Sequence, residues 1–150
     1  MSRRSNWVDR TGQLWRISGK LESFQLRKLG TSPMALLNPG QVLVIETTGR
    51  RSGRQRFTPV GYWQEPDGAY VLGGGAASQT RTPDWVANLR ASPQAALWIG
   101  RRRIPVLAHE LTDDERDAAQ QKAARIWPGI DRYQKRSGRV IPSFRLVPRA

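Results

Sequence analysis

The run Thr47-Thr48-Gly49-Arg50-Arg51-Ser52-Gly53-Arg54-Gln55-Arg56 constrains this chain more than any other stretch. The apolar residues Val42 to Ile45 lead straight into it, and β-prone residues resume after it through Phe57, Val60, Tyr62 and Trp63. A turn with two glycines and four arginines therefore lies between two strands. Glycine lets the backbone bend and approach a ligand closely. The guanidinium fork matches phosphate and carboxylate two bonds at a time. Such a turn is a device for gripping a multiply charged anion at the end of a sheet.

The net charge of +13 fits an anionic partner: a nucleic acid, an acidic membrane surface or a phosphorylated cofactor. Charge does not choose among the three. At 150 residues the chain suits one domain around one core, read here as residues 13–150 behind a flexible basic arm, 1–12. Cysteine is absent, which excludes disulfides and thiolate chemistry and suits a cytoplasmic protein. No apolar stretch nears the roughly 20 residues that span a bilayer.

Hydrophobic spacing predicts a helix over 13–29, with Leu14, Ile17, Leu21 and Phe24 near one face and Gly30 as its cap. Strands are expected over 41–48 and 56–64, and a third begins at Ala69 after the turn Pro66-Asp67-Gly68. Thr82-Pro83-Asp84 should start a helix, with Thr82 as the capping hydroxyl and Pro83 in the first position. A second hairpin, 94–99 with 103–111, turns at Gly100-Arg101-Arg102. Thr112-Asp113-Asp114-Glu115 reads as a capping box opening a polar helix to about Arg125. Residues 143–147 alternate like a closing edge strand. The sum is an α+β, mainly β chain: a small barrel of about six strands with peripheral helices.

Several chemistries are excluded. His109 alone cannot build a metal site, and the acids Asp113, Asp114, Glu115 and Asp117 sit where they favour a helix dipole. No nucleophile elbow, P-loop or dinucleotide fingerprint is present. No acid–base or nucleophilic machinery stands out in the chain.

The arginine–glycine run resembles the signature of the deazaflavin (F420)-dependent nitroreductase/quinone reductase family. So do the run from Thr82 to Pro93 and the tail Trp127-Pro128, Tyr133-Gln134 and Ile141-Pro142. The likeness extends from about residue 14 to 148. It implies a split β-barrel (FMN-binding-like) holding coenzyme F420, a deazaflavin with a phosphate and a polyglutamate tail; FMN is the alternative cofactor. By that resemblance Arg50, Arg51, Ser52, Gly53, Arg54 and Arg56 would hold the tail, with Thr58 and Pro59 beside them. The small-residue loop Gly74, Gly75, Ala76, Ala77 and Ser78 would admit the ring, with Pro83, Trp85 and Asn88 close by. Trp85 could equally be a core aromatic. Tyr133 is the candidate proton donor or substrate contact, and packing is its other reading.

The implied reaction passes a hydride from reduced F420 to a quinone, an enone or a nitro compound. The ring loop lacks the serine–lysine pair common in nitro-reducing members, so the substrate class stays open. A homodimer is implied by resemblance alone. A peripheral membrane contact through the N-terminal helix stays open, with Arg16, Lys20, Arg27 and Lys28 as its basic residues. Nucleic acid is not the expected partner: a binder of single strands would need the 50–56 and 101–103 arginine clusters on one continuous track.

Overall fold

In the computed structural model, residues 42–73, 82–126 and 141–149 are described. Their elements run β1 (Val42–Thr48), β2 (Gln55–Gln64), β3 (Tyr70–Gly73), α1 (Asp84–Ala91), β4 (Gln94–Ile99), β5 (Arg102–Glu110), α2 (Asp113–Ile126) and β6 (Ser143–Pro148). The helix expected over 13–29, the arm 1–12 and the membrane contact tied to that helix lie outside the described residues.

The six strands close into an antiparallel barrel in the order β1-β2-β3-β6-β5-β4. Strand β1 is buried on both faces. Leu43 and Ile45 join the barrel core, and Val44 and Glu46, which point outward, are also buried. This double burial is why its sequence is an unbroken apolar run instead of an alternation. Strand β6 is not the edge strand expected from its alternation. It pairs with β3 through Tyr70↔Leu146 and Leu72↔Phe144, and with β5 through Ala108↔Leu146. Period-two patterning reports one buried face and is blind to how many neighbours a strand has. Closure of the barrel supplied the second neighbour.

Core residues come from five of the strands, with Leu97, Val106, Phe144 and Leu146 among the most buried. Helix α1 closes one end by inserting Trp85, Val86 and Leu89. The Trp85 ring meets Phe144 at 5.8 Å between centroids, tilted by 57°, a favourable aromatic geometry. Pro83 is the N-cap of α1, one residue beyond the Thr82 expected in that position. Helix α2 is polar, with Ala123 its buried residue. It is tied down by Lys122 Nζ on Glu65 Oε2 at 2.9 Å and by Gln120 Nε2 donating to the Ile141 carbonyl at 2.8 Å. At its start Thr112 Oγ1 donates to Glu115 Oε1 at 3.1 Å, a side-chain form of the expected box.

The barrel has two unlike ends. Strand β1 runs to the end that carries the 49–54 turn and α1. The β4–β5 turn at Gly100 lies beside the start of β1, because Val44 pairs with Trp98 and Glu46 with Ala96. The two arginine clusters are thus separated by the length of β1, roughly 20 Å at about 3.3 Å per residue. Arg103 is further committed to Glu46, at 3.0 Å.

Candidate functional site

The β1–β2 connection is a tight loop. Thr48 and Gln55 are the last strand pair. Beyond them the Gly49 amide donates to the Arg54 carbonyl at 2.7 Å, and the Gly53 amide to the Gly49 carbonyl at 2.8 Å. Residues 50–53 form a single helical turn closed by Gly53 at φ +71°, a left-handed conformation that glycine adopts without strain. Gly49 is required for space. A β-carbon there would lie 2.7 Å from Ser52 Oγ and 3.2 Å from the Arg54 carbonyl oxygen. Ser52 Oγ accepts from the Arg54 amide at 3.2 Å and from Arg56 Nη2 at 3.5 Å. Among the described residues no acceptor takes the amide of Arg51 or Ser52. These are leading amides of a helical turn, the kind that receives an anion.

The four arginines divide. Arg51, Arg54 and Arg56 are exposed and have no carboxylate partner among the described residues. Arg50 turns toward α1. Its Nη1 and its backbone amide both donate to Asn88 Oδ1 at 3.1 Å, and its Nη2 stands 3.6 Å from Asp84. Asn88 is 3% exposed, and its amide nitrogen donates to Thr47 Oγ1 at 3.2 Å. Both ends of the Asn88 amide are therefore taken up by the protein. Residue 88 braces the turn, and the sequence reading of it as a direct cofactor contact gains no free polar atom. Trp85 is 4% exposed and lies in the core against Phe144, the packing alternative.

Thr58 and Pro59 sit on β2 opposite Ile45 and Val44, half-buried. Thr58 shares the inward register with Arg56 and Thr47, below the turn. Among the described residues strand β2 pairs with β3 from Tyr62 to Gln64, so Gln55–Gly61 run past the last β2–β3 pair there. Pro59, with no amide to donate, falls in that overhang. Pro83 opens α1 directly before Asp84. Gly74, Gly75, Ala76, Ala77, Ser78 and Tyr133 lie outside the described residues.

Two contributors were assigned no role from sequence. Thr47 stood inside the motif, and its buried hydroxyl is what Asn88 holds. The signal was its inward register, two residues after Ile45. Arg90, in the last turn of α1, grips Glu110 of β5 with Nε at 2.9 and 3.2 Å and Nη2 at 2.6 Å. The hydrogen bonds to Glu110, foremost, raise the Arg90 pKa further. This bidentate clamp fixes the helix that carries Asn88. A pair of interior phenols, Tyr62 and Tyr70, lies toward the other end of the barrel, 5.9 Å apart. Burial, then the Tyr70 neighbour, pushes Tyr62 above 10.0 and keeps it neutral.

Among the described residues, one end of the barrel therefore presents three guanidiniums without a carboxylate partner and two amides without an acceptor around a braced turn. That donor set fits a ligand with several anionic groups in series, a phosphodiester followed by carboxylates. It exceeds what a single phosphate needs.

The fold is a split β-barrel of the kind used by deazaflavin-dependent reductases. The sequence matches the F420H(2)-dependent quinone reductase family over residues 21–148, and the chain belongs to that family. It is a reductase that uses coenzyme F420. It is 29% identical over 115 residues to an F420H(2)-dependent quinone reductase of Mycobacterium tuberculosis, covering 71% of this chain and 73% of the relative. The solved F420-H2 dependent reductase FDR-A superposes with a TM-score of 0.64 at 28% identity, over 71% of this chain and 94% of its own. A domain-swapped dimer superposes with a TM-score of 0.66 at 27% identity, over 95% and 98%.

Proposed function

We propose that the protein reduces a quinone-class electrophile with reduced F420, and that its arginine turn holds the anionic tail of the cofactor. The observation that carries this is the set of exposed guanidiniums of Arg51, Arg54 and Arg56, without a carboxylate partner among the described residues, on a turn braced from the core. When bound, the deazaflavin supplies a hydride, which together with one proton takes a quinone to its hydroquinone. The chain supplies binding, orientation and exclusion of water. Its arginines take the tail, with the Arg51 and Ser52 amides as further donors. Helix α1 fills the barrel end and keeps water from entering there.

The test is a fluorescence titration with F420 and with FMN side by side. F420 should bind more tightly, because each additional charge-assisted pair contributes on the order of 1–3 kcal/mol. Equal affinities, or a preference for FMN, would refute the role given to the turn. Turnover of menadione, an enone and a nitro compound then ranks the substrates. Tyr133 is the proposed proton donor. Tyr133→Phe should cut turnover roughly 100-fold or more while cofactor affinity holds, and a change within about twofold removes it from that role. A homodimer is part of the reading, supported by the domain-swapped neighbour and tested by sedimentation.

A further inference from the structure

We infer that Thr47 is a positioning residue of the cofactor site, setting the anion-binding turn from inside the barrel through Asn88 and Arg50. The inference rests on the proposed role of the turn. Thr47 is 1% exposed, and the side-chain partner of its hydroxyl among the described residues is the Asn88 amide nitrogen. The logic of the relay is donor counting. The Arg50 amide and guanidinium are donors only, so Asn88 must offer them its oxygen. Its nitrogen then faces inward and needs an acceptor in a place closed to water. Thr47 Oγ1 is that acceptor.

Without the hydroxyl, Asn88 holds an unmatched buried N–H, whose cost is relieved by rotating the amide away from its place. That rotation takes the oxygen from both Arg50 donors at once. Arg50 then keeps only its long contact to Asp84. The turn loses the bond that fixes its first residue, and Arg51, Arg54 and Arg56 lose their shared orientation. A hydroxyl that never touches ligand thus decides how well the arginines are presented.

The experiment compares two ligands: complete F420, and a fragment with the deazaflavin on its ribityl chain but no phosphate or glutamates. Wild type should prefer the complete cofactor strongly. Thr47→Val is nearly isosteric and removes only the hydroxyl. It should weaken complete F420 about tenfold and leave the fragment within about twofold. Thr47→Ser restores the acceptor and should restore the preference. Combining Thr47→Val with Arg50→Ala should weaken binding by less than the sum of the two single effects, since both act through Asn88.

Retention of the full preference in Thr47→Val overturns the inference, as does equal weakening of both ligands, which marks a general loss of structure. Thr47→Ala, which adds no bulk, takes the place of the valine variant if that does not fold, with the same two outcomes. A wild type that binds complete F420 no better than the fragment defeats the tail-binding role of the turn itself, a separate failure.

Discussion

Trp85→Ala should unfold the protein more readily without abolishing cofactor recognition by the turn. The side chain is 4% exposed and packs tilted against Phe144, 5.8 Å between ring centroids, in the barrel core. A buried tryptophan withdraws roughly 200 Å² from water. At about 25 cal/mol per Å² that is about 5 kcal/mol. Large-to-small aromatic substitutions cost about 3–5 kcal/mol, in agreement. For a domain of this size each kcal/mol lowers the melting midpoint by about 2–4 °C, so a fall of about 6–20 °C is expected. Trp85→Phe keeps a ring against Phe144 and should fall between the two proteins. The assay is thermal unfolding by circular dichroism, followed by F420 titration well below the lower midpoint. A midpoint unchanged within a degree or two, together with lost F420 affinity, would refute the core assignment and make Trp85 a wall of the cofactor site.

Glu65 accepts from Trp63 and pairs with Lys122, and these bonds hold its pKa below 4.5. A depressed carboxylate stabilises the fold above its unfolded pKa, and that contribution is lost as pH falls through the folded value. Glu65→Gln should therefore lower the urea midpoint at about pH 6 and differ little from wild type at about pH 3; a gap that widens toward acid would contradict this. Arg90→Ala breaks a bidentate but half-exposed pair, so the cost should be about 0.5–1 kcal/mol after solvent screening, shrinking in high salt. A salt-independent loss measured by the same melts would point to packing instead. Gly49→Ala should weaken F420 binding and recover in the Gly49→Ala/Ser52→Ala double variant only in part, because the Arg54 carbonyl remains 3.2 Å away. Gly53→Ala has open space but a φ of +71° and should cost about 1–2 kcal/mol in melts, Gly53→Asn less.

The hairpin around the arginine turn, the 94–99 strand and the polar helix from Asp113 were legible in the chain because their cues are local. Glycines, prolines and a Thr-x-x-Glu spacing act within a few residues. Element ends shifted by a residue or so, as at Arg102 in place of Arg103 and at Gln55 in place of Arg56. The cap position of α1 shifted in the same way, falling on Pro83 in place of Thr82.

Charge, spacing and turn chemistry were enough to place an arginine- and glycine-rich turn between two strands, the turn proposed to grip an anion. They act through properties each residue carries into any fold. Which arginines stay exposed and which one turns to the protein was a different matter. Arg50 turned inward because Asn88, 38 residues away, offers it an oxygen. Asn88 does so because Thr47 takes its nitrogen. Barrel closure likewise gave β6 two neighbours and put the two basic clusters at opposite ends. Hydrogen-bond partners and strand neighbours belong to pairs of distant residues brought together by packing. Only the folded chain could assign them.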